Sequence, residues 1–126
     1  MKVFVVVEDD TDLQSLIRMV FSEDPRFTVG GAATSAEEGI EMARSAEAGV
    51  IVLDNGLIGK LTGIEAAPQF KEVAPLAKII LFTARAELQA QAEEEPAIDA
   101  FLLKTDIFEL LSLAQQLTGL GPHAST

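Results

Sequence analysis

The sequence contains no cysteine, tryptophan or tyrosine, and its single histidine, His123, lies close to the C-terminal end. Without cysteine there is no disulfide, no thiolate metal site and no cysteine nucleophile. Cations are scarce as well: nine Lys and Arg stand against twenty Asp and Glu, a formal net charge of −11, and they form no basic patch. Nucleic-acid phosphates demand clustered cations, so no direct nucleic-acid contact by this domain is expected. Long apolar runs are missing too. The first, Val3 to Val7, stops at Glu8, well short of a signal-peptide core, and no run approaches the roughly 20 apolar residues of a membrane-spanning helix. These absences make a cytoplasmic protein without membrane contact the expectation. What is present is an apolar fraction of 48% over 126 residues, enough for one domain with a real core and too little chain for two.

Five short apolar runs alternate with helical patterns. Val3 to Val7 is β-branched and aromatic without polar alternation, which predicts a central strand covered on both faces. Leu13, Leu16, Ile17, Val20 and Phe21 then fall on one helical face, behind Asp10 or Thr11 as a cap. Phe27 to Ala33 is a weaker strand, placed near an edge because Gly30 and Gly31 interrupt it. Ser35-Ala36-Glu37-Glu38 has the S-x-x-E form of a capping box and opens a second helix. Val50 to Leu53 is the third strand, followed by a glycine-bearing loop from Asn55 to Gly63. The next helical stretch, Gly63 to Ala74, contains Pro68, so it is expected to start late or to kink. Lys78 to Phe82 reads as the fourth strand and Phe101 to Leu103 as the fifth. Between them Ala86 to Glu95 offers only Leu88 as a large apolar anchor, and after them Asp106 is expected to cap an amphipathic last helix. The expected domain covers residues 1–118, with 119–126 as a flexible tail or linker stub. Alternation of this kind predicts an α/β fold, a doubly wound five-stranded parallel sheet in a flavodoxin-like three-layer sandwich.

Four of these runs end in residues that can do chemistry. Val3 to Val7 runs into Glu8 and Asp9, Val50 to Leu53 into Asp54, Ile79 to Phe82 into Thr83, and Phe101 to Leu103 into Lys104. In a parallel sheet those ends share the carboxyl edge, where open α/β sheets bind ligands. Two carboxylates about 4 Å apart repel by roughly 4 kcal/mol at an effective dielectric near 20, so Glu8, Asp9 and Asp54 together call for a cation. Hard oxygen ligands without cysteine point to Mg2+. A divalent cation, a lysine and a hydroxyl around an ionised aspartate are what phosphoryl transfer to that aspartate requires.

An acid pair after the first strand, Asp54 after the third, Thr83-Ala84 after the fourth and Lys104 after the fifth, in this order, resemble the receiver domain of two-component response regulators, over Lys2 to about Leu117. That resemblance implies that Asp54 is the phosphoacceptor, that Glu8, Asp9, Asp54 and the Gly56 carbonyl hold Mg2+, and that Thr83 and Lys104 contact the phosphoryl group. Phe101 takes the family's switch-aromatic position, three residues before Lys104, and Thr83 and Phe101 would be the switch residues. The implied partners are a histidine kinase or phosphotransfer protein and an unknown output protein or domain, with a homodimer also open. Partner binding would change on the face of the fourth helix, fifth strand and fifth helix, in a phosphoacceptor switch that is not itself an enzyme.

The sequence departs from the family pattern in the loop after Asp54, where Leu57 to Gly63 has no Met-Pro pair and its glycine comes one residue late. Thr105 replaces the proline that often follows the lysine, which predicts a trans bond there. Asp10, left over from the acid pair, is expected to cap the helix; Arg85 and Asn55-Gly56 lie where the family tunes dephosphorylation. Two competing functions remain on the residues alone: a haloacid-dehalogenase-like phosphatase, which would carry an acid where Gly56 stands, and an adaptor independent of phosphorylation.

Overall fold

The computed structural model describes residues 2–123. Five parallel strands form one sheet in the order β2-β1-β3-β4-β5: β1 Lys2–Val7, β2 Phe27–Ala33, β3 Val50–Leu53, β4 Lys78–Thr83 and β5 Ala100–Leu103. The helices are α1 Thr11–Phe21, α2 Ala36–Ala46, α3 Gly63–Val73, α4 Gln89–Glu94 and α5 Leu110–Leu117, with 3-10 segments at Ala86–Leu88 and Lys104–Glu109 leading into the last two. Val5, Val7, Ile51, Leu53, Ile79 and Leu81 face one core under α2, α3 and α4. Phe4, Val6, Val50, Val52, Ile80 and Phe82 face the other, under α1 and α5. The three central strands β1, β3 and β4 thus bury both of their faces, which explains the flat hydrophobicity of β1 and β3.

The weak strand is the edge strand, as its glycines implied. Phe4 opposes Val29 while Val5 opposes Gly31, so Gly30 is the extra residue of a bulge. A Cβ at Gly30 would stand 2.7 Å from Val3 Cγ1 and 2.9 Å from Ala46 Cβ, so the second helix could not pack as closely over a larger residue.

Several local expectations need correction. Helix α3 does not start late: it begins at Gly63, because Thr62 and Glu65 form a complete capping box ahead of it. Thr62 Oγ1 accepts from Glu65 N at 3.2 Å, and Glu65 Oε1 accepts from Thr62 N at 2.9 Å. Pro68 lies inside the helix and is exposed. It deprives the Ile64 carbonyl of its donor one turn below. In α2, Ser35 caps as expected, but Glu38 reaches past it to the Thr34 N–H. Asp106 does not cap α5; the chain enters a 3-10 turn directly at Lys104, leaving Asp106 inside that turn with φ −102° and ψ 29° and no capping bond. The peptide bond after Lys104 is trans.

The segment from Gly119 makes two hydrogen bonds to the domain among its described residues. Leu120 N donates to Gln115 O at 2.8 Å and Arg26 Nη2 donates to Gly121 O at 2.6 Å. Arg26 itself grips the fully buried Asp24, which also accepts from Gln115 Nε2 at 3.0 Å. Residues 124–126 of the expected tail lie outside the described residues.

Proline in a helix interior costs about 3 kcal/mol relative to alanine, partly offset by its restriction of the unfolded chain. Pro68→Ala should therefore raise stability by about 2 kcal/mol, read as an upward shift of the urea midpoint at unchanged slope.

Candidate functional site

Strand register delivers the site residues to one edge. Val7 opposes Leu53 across the β1–β3 pair, and the ladder continues one step further, with Asp54 N donating to Val7 O at 2.9 Å. On the other side of β1, Glu8 N donates to Ala33 O at 2.9 Å. Glu8 and Asp54 therefore leave adjacent strand ends side by side, both buried. Thr83 opposes Leu103, which puts Lys104 one residue beyond the β4–β5 ladder. Its Nζ reaches in to stand 2.9 Å from Glu8 Oε1 and 3.4 Å from Asp54 Oδ2. Glu8, Asp9 and Asp54 each offer a carboxylate oxygen, all within 4.8 Å of one another, and Asp9 is the exposed member. Asp10 turns away to cap α1, its Oδ1 accepting from Asp12 N at 2.9 Å and Leu13 N at 3.3 Å.

The charges do not balance. Burial pushes the Glu8 carboxyl up to about 7, against the nearby Lys104 ammonium and the Asp10 N–H, while the Asp54 charge adds to the rise. Burial raises Asp54 as well, opposed by Lys104 and by the N–H groups of Gly56 and Asn55. Burial works against the Lys104 charge, yet the Glu8 and Asp54 carboxylates together hold its pKa above the ordinary value. One ammonium reaches two of the three acids, and Glu8 Oε1 is buried against it at 2.9 Å without a well-directed hydrogen bond. Two buried acids and an exposed third, all hard oxygen donors with one ammonium among them, suit a divalent cation that keeps several waters.

The other expected residues sit at the same edge without joining this cluster. Thr83 is buried, and its Oγ1 accepts from Arg85 N at 3.2 Å. Phe101 is half-buried against the core under α2, α3 and α4. It opposes Leu81, so Thr83 is its diagonal neighbour two residues along on the same face. Gly56 is exposed, and a Cβ there would meet nothing within 4 Å.

Two residues of the loop matter more than the sequence reading assigned. Asn55 is buried: its Oδ1 accepts from Ile64 N at 3.0 Å, and its carbonyl accepts from Gly63 N at 3.1 Å. Gly63 lies so close that a Cβ would stand 2.3 Å from the Asp54 carbonyl oxygen. The late glycine thus lets α3 rest directly on the backbone of Asp54. A buried asparagine immediately after the strand-end acid was the available signal. Gln14, which the sequence reading passed over, donates from Nε2 to Glu8 O at 2.5 Å and to Ala33 O at 3.4 Å.

Residues 4–115 match the model of the response regulator receiver domain. The chain belongs to that family. Over 101 residues it is 28% identical to the nitrate/nitrite response regulator protein NarL of Escherichia coli strain K12, covering 79% of this chain and 46% of that protein. Over 99 residues it is 30% identical to the protein-glutamate methylesterase/protein-glutamine glutaminase of Natronomonas pharaonis, covering 76% of this chain and 28% of that protein. The receiver therefore spans less than half the length of these curated relatives. Among solved structures, the response regulator protein TrrA from Thermotoga maritima, in complex with Mg(2+)-BeF, superposes with a TM-score of 0.81 at 25% identity over 93% of this chain and 99% of that one. The response regulator domain of Thermotoga maritima CheB shares the fold, with a TM-score of 0.82 at 20% identity over 97% and 99% of the two chains. No helix of the described residues is long and apolar enough to cross a membrane.

The raised Glu8 value has a stability consequence. Between the ordinary 4.5 and about 7 the folded receiver holds a proton that the unfolded chain has lost. Without divalent cation, stability should rise by about 1–3 kcal/mol as pH falls from above 7 to about 5. Asp24 works in the opposite sense: Arg26 holds it far below the ordinary 3.8, so its contribution is present above that pH and lost as pH falls through the acid range below it. Thermal melts in EDTA should peak near pH 5, and saturating Mg2+ should flatten the rise between pH 7 and 5.

Proposed function

We propose that this receiver domain accepts a phosphoryl group on Asp54 from a histidine kinase or phosphotransfer protein in the cytoplasm, and signals by altering what the α4–β5–α5 face binds. The observation that carries this reading is the single lysine held between two buried carboxylates at the carboxyl edge of the sheet, 2.9 Å from Glu8 and 3.4 Å from Asp54. In the transfer, an Asp54 carboxylate oxygen bonds to phosphorus, the phosphorus–nitrogen bond to the donor imidazole breaks, and the imidazole leaves with the electron pair and takes up a proton. Lys104 offsets charge on the phosphoryl oxygens, and the Thr83 hydroxyl donates to one of them once the aspartyl phosphate has formed. Glu8, Asp9, Asp54 and the Gly56 carbonyl would hold Mg2+, which supplies further positive charge to those oxygens and relieves the repulsion among the acids.

The reading is of a phosphoacceptor. The esterase activity in the name of one relative belongs to that protein, of which this chain matches 28%. Gly56 stands where a dehalogenase-like phosphatase would carry its second acid. Phe101 and Thr83 share a face, and α4 with its leading turn buries only Leu88 and Ala92. So thin an anchor suits an element of low local stability that moves when Thr83 is drawn toward the phosphate.

Intact mass after incubation with Mg2+ and a small-molecule phosphodonor tests the chemistry. One phosphoryl adduct should form, require Mg2+, and be absent in Asp54→Ala; a folded wild type without adduct overturns the assignment. The switch is tested separately by amide exchange with and without beryllofluoride. Protection should change over 86–94 and 100–103, and an unchanged pattern there would sink the switch while leaving the phosphoacceptor intact.

A further inference from the structure

Gln14 is half-buried on the first turns of α1, one turn beyond the Asp10 cap, with its own N–H donating to Asp10 O at 3.0 Å. Its side chain turns back across the end of the sheet. Nε2 donates to Glu8 O at 2.5 Å and to Ala33 O at 3.4 Å, while Ala33 O also accepts from Glu8 N at 2.9 Å. Both acceptors are carbonyls, so only the amide nitrogen can face them; a glutamate in this place would set oxygen against oxygen.

The bond to Glu8 O falls on the peptide unit that joins the two acids. A peptide unit is planar, so holding its carbonyl fixes the following nitrogen and the start of Asp9 with it. Glu8 is then held at four points: its N–H on β2, its carbonyl on α1, its Oε2 on the Asp10 N–H at 3.1 Å, and its Oε1 on Lys104 Nζ at 2.9 Å. Asp9 is exposed, and its direction is left to the backbone that Gln14 fixes. We infer that Gln14 is a positioning residue for the Glu8–Asp9 acid pair, setting how tightly the pair holds a divalent cation by fixing the peptide plane between them. The inference rests on the proposed Mg2+ site and concerns its affinity alone; Gln14 touches neither cation nor phosphoryl group.

Outer residues that orient metal ligands typically change affinity 10- to 100-fold when removed. Gln14→Met keeps the length and removes both donors. Mg2+ titrated into the unphosphorylated protein by calorimetry should show a Kd weakened roughly tenfold. The Mg2+ concentration for half-maximal phosphorylation should rise in parallel, while the yield at saturating Mg2+ keeps more than half its wild-type height. Ser15→Ala, one residue along the same helix, should bind Mg2+ as the wild type does, and the melting temperature in EDTA should show the Gln14→Met variant folded. An unchanged Kd in Gln14→Met beside a wild type that binds overturns the inference alone, as does a collapsed yield at saturating Mg2+ with unchanged Kd. A wild type that binds no Mg2+ overturns the inference together with the proposed metal site, a result distinguishable from the former by the wild-type titration itself.

Discussion

At the carboxyl edge of the sheet, the Lys104 ammonium lies between Glu8 and Asp54, two buried carboxylates from different strands. Neither acid could be buried as an ion without it, and one positive charge is not enough for both. Burial pushes the Glu8 and Asp54 carboxyls up, and the Lys104 ammonium opposes both shifts without cancelling either. The fold supplies what this arrangement demands. Glu8 leaves β1, Asp54 leaves the adjacent β3, and Lys104 leaves β5, two strands further on. A parallel sheet brings all three ends to the same side, its strand order sets the ends of β1 and β3 next to each other, and two apolar cores hold that sheet in place.

The backbone behind Asp54 is fixed from the opposite direction. Asn55 receives the first two N–H groups of α3 on its carbonyl and side chain, and Gly63 lies against the Asp54 carbonyl. The intervening loop follows its own path: Ile58 bridges to Ser35 at the start of α2, and Gly59 takes φ +113° beside Glu37. An extra residue and a missing proline therefore change the outline of the loop, while both of its ends stay bound to regular structure. The acidic cluster is built from strand ends, and of the loop only its first two residues, Asn55 and Gly56, reach Asp54 with their N–H groups.

Strand ends were also the part of the site that could be read from the sequence. An apolar run that stops at a charged or hydroxyl residue states both the strand and its terminal chemistry, and Glu8, Asp9, Asp54, Thr83 and Lys104 all lie at the expected edge. Boundaries set by specific hydrogen bonds were harder to read. The pair Thr62 and Glu65 decides where α3 begins, and its effect outweighs an exposed Pro68 inside the helix. Asp106 has the chemistry of a cap but falls inside a 3-10 turn already started at Lys104. Contacts between distant residues left no local pattern at all: Gln115 reaches Asp24 across 91 residues, and Arg26 reaches Gly121 across 95. Gln14 is hidden for another reason, since its partners Glu8 and Ala33 are near in sequence but a glutamine beside the apolar stripe of a helix reads as solvated until the ends of β1 and β2 are seen beneath it.

The same geometry limits how strongly a phosphoryl group could act on the distant face. In the present arrangement the Thr83 hydroxyl already accepts a hydrogen bond from the Arg85 N–H. Drawing Thr83 toward a phosphoryl oxygen gives up a neutral bond worth about 1 kcal/mol and gains a charge-assisted one worth about 1.5–3 kcal/mol. The surplus available to move anything else is therefore on the order of 1–2 kcal/mol, within the range usual for coupling between sites. Such a sum could not displace an element bound as firmly as β3, whose four residues are all buried. It is commensurate with shifting α4, anchored by Leu88 and Ala92, and with changing the burial of Phe101 beside Thr83. Weak packing at α4 and half-burial at β5 make that face the one that the proposed switch could move with so small a chemical input.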